Sequence, residues 1–247
     1  MDVAGVKRKV MMQLNRNGFL YVLDRANGGL ISAKPFEKVN WASEINPESG
    51  RPVETEIGQK LRAGEQVEMW PSTRGGKNWP HAAFNPETGL LYANTMHRGG
   101  IYKHLPTKER IVGQRYQFIE NRPAPVAAGE AIAHVDAIEP LTGNQRWRTP
   151  LFDHPHWSAI VATGSGLLFT GKETGEFIAI DADTGKTLWQ FQTGSGINAM
   201  PITYTHNGRQ YVTVLSGIGG LWWNAAREQL KNVPQGGSVW TFALMPE

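Results

Sequence analysis

The run from Leu167 to Gln192, LLFTGKETGEFIAIDADTGKTLWQFQ, constrains the fold more than any other stretch of this chain. Its apolar and polar residues alternate with a period of two, the signature of short strands with one buried face. Two turns break it into three runs. Glu173-Thr174-Gly175-Glu176 makes the first and Asp183-Thr184-Gly185-Lys186 the second, each with a glycine for a left-handed position. The reading is an antiparallel meander ending on Trp189, an indole that one meander cannot bury alone.

The unit recurs. Met12 to Ser32 has Asn15-Arg16-Asn17-Gly18 as its first turn and Arg25-Ala26-Asn27-Gly28 as its second, with Asp24 in the place of Asp181. Ala133 to Trp147 repeats the latter part, and Asn85-Pro86-Glu87-Thr88-Gly89 is a turn of the same chemistry. Gly28, Gly89, Gly143 and Gly185 are read as the second-turn glycines. Repeated sheet units of this length predict an all-β protein, a β-propeller of four-stranded antiparallel blades in which each blade covers its neighbour.

Composition supports this. The 28 glycines, 15 prolines and 9 tryptophans suit a turn-rich, aromatic-packed sheet protein and disfavour long helices. The net charge of +3 is dispersed, so nucleic acid is not an expected partner. Lys7-Arg8-Lys9 reads as a solvated strand edge. With no cysteine there is neither a disulfide nor a thiolate metal site. The 7 histidines are scattered and do not suggest a zinc site. No apolar run is long enough to span a bilayer, and no signal peptide opens the chain. It reads as starting in the middle of a domain.

Two stretches break the pattern. Pro35 to Trp70 is polar and is expected to loop over one face. Met96 to Gly129 lacks periodicity, with Arg122-Pro123-Ala124-Pro125 read as extended linker. Long loops on a rigid scaffold often carry function.

Ala179-x-Asp181-x-x-x-Gly185-Lys186-x-x-Trp189 resembles the tryptophan-docking motif of the quinoprotein alcohol dehydrogenases, eight-bladed propellers that use pyrroloquinoline quinone (PQQ). Ala137-x-Glu139-x-x-x-Gly143-Asn144-x-x-Trp147 is similar with Glu for Asp, and the first repeat has Ser32 for the Trp. Asn15 to Arg25, Gly75-Gly76-Lys77-Asn78-Trp79-Pro80 and Thr193-Gly194-Ser195-Gly196-Ile197 resemble the family outside that motif. The resemblance covers essentially residues 1–247 and only the C-terminal half of the family's propeller, about half of the ring.

The resemblance implies site residues. From the sequence alone Arg16 is equally a solvated turn residue; in the family an Arg here reaches the quinone carbonyls, where a guanidinium stabilises developing negative charge. Asn78 and Trp79, otherwise a turn amide and a core indole, would lie beside the cofactor. Trp157, otherwise core, would be the stacking platform under the flat ring system. The loop Gly217-Ile218-Gly219-Gly220, with Ile218, resembles one that approaches the ring. A propeller brings the inner ends of its blades together, so these residues are expected to converge on one ligand.

The family also needs an Asp general base and a Ca²⁺ or lanthanide ion. Both precede the Asn-Arg-Asn-Gly turn in the family, so the resemblance places them outside this chain. The implied function is the C-terminal portion of a periplasmic PQQ-dependent enzyme that oxidises a primary alcohol and passes electrons to a cytochrome c or quinone. This chain alone is expected to be inactive and to self-associate, as a possible homo-oligomer. The alternative is a non-catalytic propeller module that binds or scaffolds.

Overall fold

A computed structural model describes residues 1–106, 108–113, 116–153, 156–219 and 230–244. His154 and Pro155, Gly220, and the tryptophan-rich part of the loop before Gly237 lie outside the described residues. The chain divides into two compact units, the first comprising Met1–Asn78, Met96–Glu130 and Leu141–Gly143, the second Trp79–Thr95, Ala131–Pro140 and Asn144–Glu247.

The first unit opens on a short hairpin, Asp2–Val3 with Val6–Lys7. Its main sheet is the expected meander of Val10–Leu14, Phe19–Asp24 and Leu30–Pro35. Phe19 is buried beneath Ala42, Ile45 and the half-buried Trp41. Trp41 meets Phe19 edge-on at 6.2 Å and donates its indole N–H to Asn17 O at 3.1 Å. An aromatic contact and a backbone bond thus fasten the meander to the segment after it.

That segment is not the plain loop expected from its polarity. Ala42–Ile45 pairs with Pro52–Glu54, and the helix Glu56–Arg62 follows, capped by Thr55 Oγ1 accepting from Gly58 N. Val67–Met69 joins Gly100–His104 and Ile119–Pro123 in a three-stranded sheet. The stretch read as linker at Arg122 and Pro123 is therefore an edge strand, a position that tolerates proline because one side of its backbone needs no partner. Period-two patterning fails to reveal these strands because their residues are mostly exposed on both faces.

The second unit stacks three sheets. One has the order Gln145–Leu151, Ala133–Ile138, Leu90–Met96, Ala83–Asn85. The next runs in chain order: Val161–Ala162, Leu167–Gly171, Glu176–Asp181, Thr187–Gln192. The last holds Ile202–His206, Arg209–Ser216 and Ser238–Phe242. Tyr92, Val135 and Ala137 of the first sheet pack on Ile160, Leu168, Ile178 and Ile180 of the second. Phe177 and Phe169 pack on Val212, Val214, Trp240 and Phe242 of the third. Each middle strand is apolar on both faces because a sheet covers each one, as the blade reading requires.

Trp147 carries the first of these contacts. Its indole N–H donates to Ala182 O at 2.8 Å, and a Cβ on Gly185 would stand 2.6 Å from its Cε3. The docking glycine is thus needed twice, for its φ of +73° and for the ring lying on it. Trp189 departs from this expectation. It remains 39% exposed, resting edge-on against Phe242 at 5.1 Å and stacked on Phe191. Gly89 departs as well, because its turn joins Ala83–Asn85 to Leu90–Met96, the first two strands of its sheet, and does not lie under a docking residue.

Candidate cofactor site

In the first unit, Arg16 stands at the tip of a turn made rigid by its asparagines. Asn15 Oδ1 accepts from Asn17 N at 3.2 Å, and Asn17 Oδ1 accepts from Phe19 N at 3.1 Å. Gly18, at φ +94°, has no room for a side chain, since its Cβ would lie 2.5 Å from Val39. Arg16 itself is exposed. Its guanidinium makes no hydrogen bond or ion pair among the described residues.

The segment Gly75-Gly76 lies directly against this turn. Gly76 N donates to Arg16 O at 3.1 Å, and a Cβ on Gly75 would stand 2.7 Å from Arg16 Cα. Only glycine lets the two backbones approach so closely. Asn78 then gives one amide hydrogen to Arg74 O at 2.7 Å. The structure therefore brings Arg16 and the segment of Asn78 together, and the double glycine is the reason.

Lys77, between them, is buried, and its ammonium donates to Asn78 O at 3.1 Å. Loss of solvation lowers its pKa to about 8. The sequence reading passed over this residue. Its only signal there was a lysine enclosed in a run of Gly, Gly, Asn and Trp.

In the second unit, Trp79 and Trp157 meet edge-on with ring centroids 6.3 Å apart. Ile160 N donates to His81 O at 3.1 Å, which ties the two tryptophan-bearing segments together. The exposed indole is Trp79, at 59%, whereas Trp157 is 5% exposed. Behind them Asn94 donates to Ser158 O at 2.7 Å and to Thr170 Oγ1 at 3.0 Å, and Ser158 Oγ donates to Ala199 O. His156 is buried here, and burial, with the Lys172 charge, lowers its pKa to about 3, so it is neutral at ordinary pH.

Ile218 is held rather than presented. Its side chain is buried with Leu230, and its N–H donates to Ser195 Oγ at 3.2 Å. Gly217 N donates to Gly196 O at 2.8 Å, and Ser195 N donates to Ser216 Oγ at 3.1 Å. The Thr193–Ile197 motif is thus a clamp on the Gly217–Ile218 loop, a role that needs the three-dimensional pairing to be seen.

Among the described residues, no group of three or more His, Asp or Glu side chains gathers in a way that could hold a metal ion.

The chain matches the family model for the β-propeller domain of PQQ-dependent glucose, ethanol and alcohol dehydrogenases over residues 150–212. It is 39% identical over 98% of its length to a quinoprotein ethanol dehydrogenase of Pseudomonas putida. The solved structure of a europium-containing methanol dehydrogenase superposes on 99% of it with a TM-score of 0.88 at 33% identity. The chain belongs to the PQQ-dependent quinoprotein dehydrogenases. Its sheets are accordingly propeller blades. A lanthanide-dependent methanol dehydrogenase of Methylacidiphilum fumariolicum is a further relative, 38% identical over 95% of the chain. Coverage is one-sided: the chain spans 40% of the Pseudomonas relative and 46% of the europium-containing one.

Proposed function

We propose that this chain forms the C-terminal portion, residues 1–247, of a PQQ-binding propeller in an enzyme that oxidises a primary alcohol to an aldehyde. The observation that carries it is the Arg16 turn: a guanidinium with no protein partner among the described residues, on a backbone held by Gly75 and Gly76. Bound PQQ supplies a quinone that accepts a hydride equivalent from the alcohol.

The residues present suit such a group. Arg16 offers a delocalised cation to a quinone oxygen or a carboxylate. Asn78 offers amide hydrogen bonds. Trp79 and Trp157 offer flat apolar rings, Trp79 the more accessible of the two. The buried Lys77 adds a second positive charge in the Asn78 segment below about pH 8, favourable to a polycarboxylate. Ile218 contributes through a loop fixed by Ser195.

In this reading the general base and the ligands for Ca²⁺ or a lanthanide come from the part of the enzyme that this chain does not span. The parent is periplasmic and delivers electrons to a cytochrome c or quinone.

Titration of the 247-residue chain with PQQ, followed by quenching of tryptophan fluorescence, tests the proposal. Weak saturable binding is expected, reduced about tenfold or more in Arg16→Ala with an unchanged melting midpoint. Alcohol plus Ca²⁺ should give no dye reduction. Alcohol oxidation by this chain alone would overturn the reading, as would PQQ binding indifferent to Arg16→Ala.

A further inference from the structure

The docking contact between repeats has a fixed form. Trp147 lays its ring on Gly185 and gives its indole N–H to Ala182 O. In the first unit the strand Leu30–Pro35 makes the corresponding contact: Ser32 Oγ donates to Leu141 O, and a Cβ on Gly143 would stand 2.8 Å from Lys34 Cβ. Each contact joins the last strand of a repeat to a glycine turn of the pattern seen at Asp181–Gly185.

Two members of the series are left over. Trp189 occupies the same motif position as Trp147, yet it is 39% exposed and its indole N–H meets no acceptor among the described residues. Beside it lies an apolar groove of about 490 Å³, lined by Phe169, Leu188, Trp189, Val212, Phe242 and Leu244. At the other extreme, the turn Asp24-Arg25-Ala26-Asn27-Gly28 has the same backbone as Asp181–Gly185. Gly28 N donates to Asp24 O at 2.8 Å as Gly185 N donates to Asp181 O at 2.9 Å, with φ of +75° and +73°. Nothing lies within 4 Å of a Cβ on Gly28, and residues 25–29 are exposed.

We infer that a second copy of this chain fills the groove, its Asp24–Gly28 turn lying on Trp189 of the first copy. The Trp147 contact supplies the geometry. Gly28 takes the part of Gly185 under the ring, and Arg25 O takes the part of Ala182 O as acceptor for the indole N–H. One chain carries both the unfilled tryptophan and the unfilled turn, so self-association needs no further partner. The contact is head-to-tail, using different surfaces on the two copies. It depends on the docking pattern alone and stands apart from the cofactor reading.

Sedimentation velocity of the 247-residue chain across the micromolar range tests it. Association is expected, weakened about tenfold or more by Gly28→Asn and by Trp189→Leu, as for the centre of an interface. Asn tolerates the left-handed backbone, and position 28 touches nothing within its own chain, so Gly28→Asn should keep the wild-type melting midpoint. Mixing the two variants should restore one good contact and yield a heterodimer. A chain that stays monomeric throughout overturns the inference and leaves the groove to a different polypeptide. Association that survives Gly28→Asn overturns it as well.

Discussion

Arg148 grips Asp136 from two sides of its guanidinium, Nε to Oδ1 at 2.8 Å and a terminal nitrogen to Oδ2 at 2.9 Å, while Thr95 Oγ1 donates to the same Oδ2 at 2.7 Å. Asp136 is fully buried in the middle of the Ala133–Ile138 strand. Burial pushes its carboxyl pKa up, and the Arg148 and Thr95 hydrogen bonds pull against that. Arg148→Met should remove the compensation and leave a buried carboxyl, costing about 3–5 kcal/mol. Arg148→Met with Asp136→Leu should recover much of that loss. Denaturant unfolding of the single and double variants measures both.

Gly185→Ala should cost more than an ordinary glycine substitution. Its Cβ would meet Trp147 Cε3 at 2.6 Å and Thr149 Oγ1 at 2.8 Å. Gly166→Ala in the same sheet provides the control, because φ is +79° there and nothing lies within 4 Å. The control should lose about 1 kcal/mol from backbone strain alone, and Gly185→Ala about 1–3 kcal/mol beyond that. Equal losses would mean that Trp147 does not need the bare glycine.

Acid should destabilise the chain through His156. Its folded pKa of about 3 lies below the ordinary value of 6.5, so below that value the unfolded chain takes up a proton that the folded chain refuses. This contribution is fully present above pH 6.5 and is lost as pH falls toward 3, by about 1.4 kcal/mol per pH unit. His156→Gln should flatten the dependence of stability on pH over that window. An unchanged slope in the variant would assign the acid sensitivity to other groups.

Ser195→Ala should free the loop it clamps. The hydroxyl accepts from Ile218 N, donates to Pro234 O, and stands beside the Ser216 bond. Its loss should cost about 1–3 kcal/mol locally and speed amide hydrogen exchange at Gly217 and Ile218. Exchange in Glu176–Asp181 should stay as it was.

The blades were legible because their middle strands obey one rule, apolar alternation closed by a glycine turn. Asp181, Gly185 and Trp147 therefore announce themselves by spacing. The strands Gly100–His104 and Ile119–Pro123 do not, since little of their surface is buried and no period is imposed on it. Gly89 shows the limit of turn chemistry: its sequence matches the docking turns, but only tertiary packing decides which glycine lies under an indole. Trp189 shows the same limit from the other side, a docking residue in sequence whose partner is not among its own chain's contacts. For the candidate site, Arg16 and Asn78 could be named from the resemblance. The reason for their adjacency, two backbones touching at Gly75, is a distance that no motif spells out.

The sheet built on Ala83–Asn85 and Leu90–Met96 must wait for its other two strands. The chain leaves after Met96, builds Gly100–His104 and Ile119–Pro123 elsewhere, and returns only at Ala133. Leu90–Met96 is buried along its whole length in the finished sheet, so during synthesis it emerges as an apolar strand with one long edge unpaired. Closing that gap costs loop entropy before any packing repays it. The interval between the emergence of Met96 and of Ile138 is therefore when a nascent chain is most exposed to mispairing, and a ribosome stalled there would display a sticky intermediate.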